Sequence, residues 1–230
     1  MFGATGFSQQ DIVKDGLVLW LDANDKTSYP GTGTVWRDLS RSYNNGTLTN
    51  GPTFNSANGG SIVFDGVDDS VSFSSFSSRS QITCEAWVKV DTSNITGALV
   101  AGHIMGIEGN FRIIYNLQGW SWVCATTNNG WYSPGTPIDY NYSSSISNIW
   151  FNVVGTYNGS YNSIYVNSVL QATGSTISGN VNGGSFFISK AVSNVGGQKG
   201  NGSIYRVYNR ALTASEVLQN YNANKNRFGL

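Results

Sequence analysis

Charge, cysteine and histidine are all scarce in this chain. Asp, Glu, Lys and Arg make up 11% of its 230 residues, with 13 acids against 13 bases. A neutral chain lacks the basic footprint that nucleic acid requires and the polybasic stretches that attract anionic membranes, so neither is an expected partner. No run approaches the roughly 18 apolar residues of a membrane span. Met1 to Lys14 has neither the basic start nor the apolar stretch of a secretory signal, so export by that route is not expected. Cys84 and Cys124 are the only cysteines and His103 the only histidine. That leaves no zinc-ligand spacing and no basis for a Ser-His-Asp arrangement; His103 is read as structural. The two thiols are read as small buried hydrophobes, because Cys84 alternates with Ile82, Ala86 and Val88. A single disulfide is the alternative.

Aromatic residues, by contrast, are plentiful. With 7 Trp, 12 Tyr and 11 Phe, the chain is too rich in core formers for disorder. A compact chain of this length buries roughly 70% of its unfolded surface, enough to fold without staples. Gly16 to Asp22 reads as a first strand, nearly continuous in apolar residues and so covered on both faces. Residues 23–60 are rich in Asn, Gly, Thr and Ser and read as long loops with short strand pieces, Asp38 being well placed for an Asx turn. Gln81 to Val90 alternates cleanly, with Ile82, Cys84, Ala86 and Val88 on one face and Thr83, Glu85, Trp87 and Lys89 on the other. Gly66 to Asp69 reads as a hairpin turn, and so does Asn158-Gly159. Gly202 to Arg210 is a last strand. Ala211 to Leu218 then opens the one helix, with Thr213 and Glu216 at capping-box spacing and Leu212 and Val217 placed as a hydrophobic staple. Many short strands with regular turn signals predict an all-β sandwich or jelly roll.

An ordered set of strings carries a resemblance. Gly16-Leu17-Val18-Leu19-Trp20-Leu21-Asp22, Asp38-Leu39-Ser40, Asn45-Gly46-Thr47-Leu48, Phe64-Asp65-Gly66-Val67-Asp68-Asp69 and Glu85-Ala86-Trp87-Val88-Lys89 follow one another. Trp150 to Gly159, Ile164-Tyr165-Val166-Asn167 and Tyr208-Asn209-Arg210-Ala211-Leu212-Thr213 complete it. This resembles the laminin G-like, concanavalin A-like jelly rolls over residues 15–222. The layout and the ending Asn220 to Leu230 also look like laminin G-like structural proteins of tailed-bacteriophage virions. The resemblance implies a two-sheet antiparallel jelly-roll sandwich with one short C-terminal helix, flanked by an N-terminal arm, 1–14, and a C-terminal tail, 223–230.

Fold membership does not give function, so each candidate chemistry is weighed on residues. Jelly-roll glucanases that resemble this fold carry a Glu-x-Asp-x-x-Glu string on one strand. This chain has none: Glu85 and Glu108 stand alone, without the paired carboxylates of glycoside hydrolysis. Glu85 is read as a solvated or hydrogen-bonded face residue. Asp65, Asp68 and Asp69 share one turn and are weak calcium candidates; the competing reading has them bonding the turn backbone. Asn128, Asn129, Trp131, Tyr132, Tyr140 and Tyr142 are candidates for a carbohydrate platform or a protein contact. Trp120 and Trp122 share a strand face and serve either that platform or the core.

The expected function is therefore non-catalytic: a virion structural or decoration protein, assembled in the host cytoplasm. It would attach to other virion proteins through the arm and the tail, and act as an oligomer. The alternative is a carbohydrate-binding module for surface glycans, and the third reading a glycoside hydrolase. No cofactor is expected beyond the calcium candidates.

Overall fold

A computed structural model of the chain describes residues 11–95, 101–107, 110–117, 119–124, 138–141, 145–174, 178–191 and 195–230, with 138–141 described in backbone only. In chain order the strands are β1 (Leu17–Asp22), β2 (Val35–Trp36), β3 (Gly46–Thr49), β4 (Thr53–Asn55), β5 (Ser61–Asp65), β6 (Ser70–Phe76), β7 (Ile82–Val90), β8 (Ala101–Ile107) and β9 (Phe111–Tyr115). They continue as β10 (Gly119–Cys124), β11 (Ile138–Asn141), β12 (Trp150–Tyr157), β13 (Asn162–Val166), β14 (Val169–Thr173), β15 (Gly184–Ile188), β16 (Val195–Gly197) and β17 (Lys199–Tyr208). Helix α1 (Ala214–Asn224) and a 3-10 turn, Lys225–Phe228, close the chain.

Two sheets form the expected sandwich. Sheet I runs β14-β13-β12-β7-β17, and β17 then pairs with β5 along its first half and with β1 along its second; β4 extends β5. Sheet II runs β11-β10-β9-β8-β15-β6-β3-β2. β16 joins the start of β8, the one parallel pair among the described residues. Inward residues of β7, namely Ile82, Cys84, Ala86, Val88 and Val90, meet the inward aromatics of sheet II in a single core. Phe151 of β12, for example, packs edge-on against Trp120 of β10 with ring centres 5.5 Å apart. Side chains from the two inner faces interdigitate in this way in aligned sandwiches. Both cysteines are buried and unbonded.

Two turns differ from their sequence reading. Asn158-Gly159 does close the β12–β13 hairpin, with Asn158 Oδ1 accepting from the Ser160 and Tyr161 amides. Gly66 to Asp69 does not close a hairpin, because β5 lies in sheet I and β6 in sheet II. It is a corner between sheets, and local turn chemistry cannot distinguish a corner from a hairpin.

The outer face of sheet I is not open to water. Helix α1, the turn after it and residues 11–14 cover it. Val13, Leu212 and Val217 pack on Val154, Tyr165 and Tyr208. Phe228 stacks on Trp87, with ring centres 4.5 Å apart, and packs on Trp150. Residues 11–14 and 223–228, assigned to arm and tail, thus make packed contacts with the sandwich; residues 1–10 lie outside the described residues. The helix starts as its caps predict. Thr213 Oγ1 accepts from the Glu216 amide at 3.3 Å, and Glu216 Oε2 accepts from the Thr213 amide at 2.8 Å. Leu212 and Val217 are buried together as the staple.

Candidate functional site

Of the expected carbohydrate or partner residues, Asn128, Asn129, Trp131, Tyr132 and Tyr142 lie outside the described residues. Tyr140 is placed in β11, in register with Trp120 of β10, and its side chain is outside them too. The tryptophans of β10 are settled: Trp120 and Trp122 are fully buried in the core. A Cβ on Gly155 would overlap the Trp122 indole, and one on Gly102 would overlap the Tyr115 ring. Trp122 is thus seated on glycine backbone of the facing sheet and Tyr115 on that of the neighbouring strand, and the β10 tryptophans are core rings, not sugar platforms.

At the inter-sheet corner, Asp65, Asp68 and Asp69 bring one carboxylate oxygen each within 4.8 Å of one another. The turn also uses them internally. Asp69 Oδ2 accepts from the Asp65 amide at 2.9 Å, and Asp65 Oδ1 accepts from the Val67 amide at 2.8 Å. Burial raises the pKa of Asp69, and repulsion from Asp65 and Asp68 adds to the shift. A hard cation takes six to eight oxygens. The three carboxylates supply part of such a set, while those of Asp65 and Asp69 already serve as backbone acceptors.

Glu85 is neither solvated nor free. It and Arg206 are both fully buried, with Arg206 Nη1 donating to Glu85 Oε1 at 2.9 Å. The same oxygen accepts from Asn152 Nδ2 at 3.1 Å, and Oε2 accepts from Asn220 Nδ2 of α1 at 2.8 Å. Asn220 Oδ1 accepts from the Val13 amide, and the Tyr208 hydroxyl donates to the Val13 carbonyl. The sequence expectation of a hydrogen-bonded residue is met and that of a solvated one corrected: α1 seals the carboxylate from any substrate. His103 is buried, its pKa pushed down to about 3 by desolvation and then by Arg112 and Lys190. Its Nδ1 accepts from the Lys190 amide at 3.4 Å, a structural placement.

One concave site was not expected. At the outer edge of sheet I a cleft of about 490 Å³ is lined by Lys14, Leu17, Trp20, Leu39, Ser40 and Arg41. A smaller one of about 240 Å³ adjoins it, sharing Lys14 and Trp20 and reaching Asp11, Asp22 and Arg206. Lys14 Nζ stands 3.9 Å above the centre of a Trp20 ring. Asp38 braces this lining. Its Oδ1 accepts from the amides of Trp20 and Ser40, and its Oδ2 from the Ser40 hydroxyl and the Asn44 amide. Asn44 Nδ2 donates to the Val18 carbonyl. The Asx turn read in the sequence is therefore the peg that ties residues 38–44 to β1. No local pattern could have marked the cleft, since its residues come from the supposed arm, a strand and a loop.

A family model described as "Concanavalin A-like lectin/glucanases superfamily", of laminin G type, matches residues 64–218, about two thirds of the chain. No curated protein gives a significant match. Among solved structures, the binding domain of Paraclostridial Mosquitocidal Protein 1 superposes with a TM-score of 0.69 at 18% identity, over 91% of this chain and 52% of that one. The botulinum neurotoxin serotype D ligand binding domain in complex with N-acetylneuraminic acid gives 0.68 at 14% identity, over 93% and 52%. This chain thus spans about half the length of those toxin domains. Domain 4 of AbnA, a GH43 extracellular arabinanase from Geobacillus stearothermophilus, in complex with arabinotriose, gives 0.63 at 17% identity, over 89% of this chain and 98% of that one. At such identities the likeness is one of fold. The chain belongs to the laminin G-like domains of the concanavalin A-like lectin/glucanases superfamily.

Proposed function

We propose that this chain is a non-catalytic, lectin-like module that binds surface glycans. The observation that carries it is the near one-to-one match with an arabinanase domain in complex with arabinotriose, 89% of this chain against 98% of that domain. That match makes the likeness one of a whole module, not of a fragment. Further support comes from Glu85, whose carboxylate is sealed under α1 and paired with Arg206. The sugar platform is assigned to Trp131, Tyr132, Tyr140 and Tyr142 with Asn128 and Asn129, aromatic faces interleaved with amide donors. A glycan array with the intact chain and its Trp131→Ala variant tests this. Specific binding that the variant loses supports the module, whereas equal binding by both removes the assigned platform.

The setting proposed is a tailed-phage virion, with other virion proteins and further copies of the chain as partners. It rests on the sequence resemblance alone. Mass spectrometry of purified particles tests it: presence at fixed stoichiometry is expected, and absence from washed particles would overturn it.

A further inference from the structure

We propose that the cleft between β1 and residues 38–44 is a second binding site, for a carboxylate-bearing sugar. Lys14, held over the Trp20 ring, and Arg41 would bind its acid group, and Leu39 would pack against its ring. This goes beyond the platform assigned above and uses none of its residues. β1 flanks β17, whereas β11 contacts β13 and β14, at the other end of sheet I.

Three observations carry the inference. The first is a pair of cations without ion-pair partners. Among the described residues neither Lys14 nor Arg41 forms an ion pair. Residues 1–10 contain no Asp or Glu to supply one. The carboxylates near the two clefts are engaged by other donors: Asp38 accepts from the Trp20, Ser40 and Asn44 amides and the Ser40 hydroxyl, Asp22 pairs with Arg227 at 2.7 Å, and Glu85 balances Arg206. Asp11 is the one acid close enough to favour the Lys14 cation. Against it, partial burial and the positive charges of Arg206 and Arg41 hold the Lys14 pKa below its usual value. A bound anion would relieve that repulsion.

The second is construction. Arg41 and Tyr43 have φ of +73° and +58°, a left-handed backbone unfavourable for residues with a side chain. Such strain persists where surrounding bonds over-determine the chain, and the Asp38 and Asn44 hydrogen bonds to β1 do so here. The loop that carries Arg41 is thus fixed before any ligand arrives. The third is shape and chemistry. About 490 Å³ falls within the 300–1,000 Å³ of small-ligand sites. A planar guanidinium accommodates a carboxylate in bidentate fashion, and Leu39 offers an apolar contact to a sugar ring.

The test is titration calorimetry of the full chain with trigalacturonate, neutral galactotriose and a sulfated galactose trisaccharide, each at low and high salt. Lys14→Ala and Arg41→Ala change exposed side chains and keep the fold. We expect trigalacturonate to bind, and its affinity to fall as salt screens the cations. Each variant should lose about tenfold or more, the scale of a lost charge-assisted hydrogen bond, and Trp131→Ala should leave trigalacturonate binding unchanged. Four results would each overturn the site: no binding of trigalacturonate, equal binding of the neutral trisaccharide, preference for the sulfated one, or loss in Trp131→Ala but not in Arg41→Ala. Because glycan-array binding of neutral sugars depends on the other platform, failure here leaves that assignment standing, and the reverse also holds.

Discussion

Glu85 and Arg206 face each other across neighbouring strands, 2.9 Å apart and fully buried, beneath the C-terminal helix. An isolated buried charge is costly, so this pair holds only while both partners and their hydrogen bonds are present. Asn152, Asn220 and Trp87 complete the carboxylate's shell. The network ties β7, β12, β17 and α1 together. Glu85→Gln is expected to destabilise the fold by about 3–5 kcal/mol, because the Arg206 charge is left uncompensated. Urea unfolding measures it. A Glu85→Gln chain that unfolds like the parent would contradict a stabilising role for the pair.

Gly155 supports the Trp122 indole from across the sandwich, and a Cβ there overlaps the ring. Gly155→Ala should therefore cost about 1–3 kcal/mol by overpacking, read as a lower urea midpoint with an altered tryptophan emission. An unchanged midpoint would place slack in the core that the packing does not leave.

The helix cap responds to acid. Glu216 is held at a pKa of about 2, first by the Arg210 guanidinium, which donates to both its oxygens, and then by Thr213. A carboxylate with a depressed folded pKa contributes stability above its unfolded value, near 4.5, and loses it as pH falls through about 2. Thr213→Ala should cost about 1 kcal/mol at neutral pH. Glu216→Gln should remove part of the acid dependence between those two values, measured by unfolding at stepped pH.

Asp69 behaves in the opposite sense. Its pKa is raised by burial and by Asp65 and Asp68, so its ionised form opposes folding at neutral pH. Its penalty falls as pH drops through its folded value. Asp68→Asn removes one repelling charge and should lower the Asp69 pKa, with a small gain in neutral-pH stability. Carboxyl NMR titration follows the shift; an unmoved Asp69 would show that Asp68 does not contribute to it.

Much of this fold is written locally. The alternation of Ile82, Cys84, Ala86 and Val88 specified the inner face of β7, and Thr213 with Glu216 specified where α1 begins. The outer face was misread for a physical reason. Glu85, on a face with Thr83 and Lys89, reads as open to solvent until a helix more than a hundred residues away packs on it. The ending 223–230 looks like a polar tail because its anchors are one aromatic, Phe228, and polar side chains such as Asn224 and Arg227, which give no hydrophobic periodicity. The acidic corner was visible as a turn, yet which sheets it joins depends on pairings with β17 and β15. The cationic cleft was invisible because Lys14, Trp20 and Arg41 meet only when residues 11–14 pack on the sandwich and Asp38 ties its loop to β1.

The most direct test of the lectin-like reading is a glycan array on the full chain, followed by calorimetry on its best neutral glycan with Trp131→Ala beside the parent. The account expects selective binding without release of reducing sugar, and a loss of about tenfold or more in the variant, as for a truncated aromatic hot spot. A folded chain that retains no glycan, or one that cleaves the glycan it binds, would contradict it.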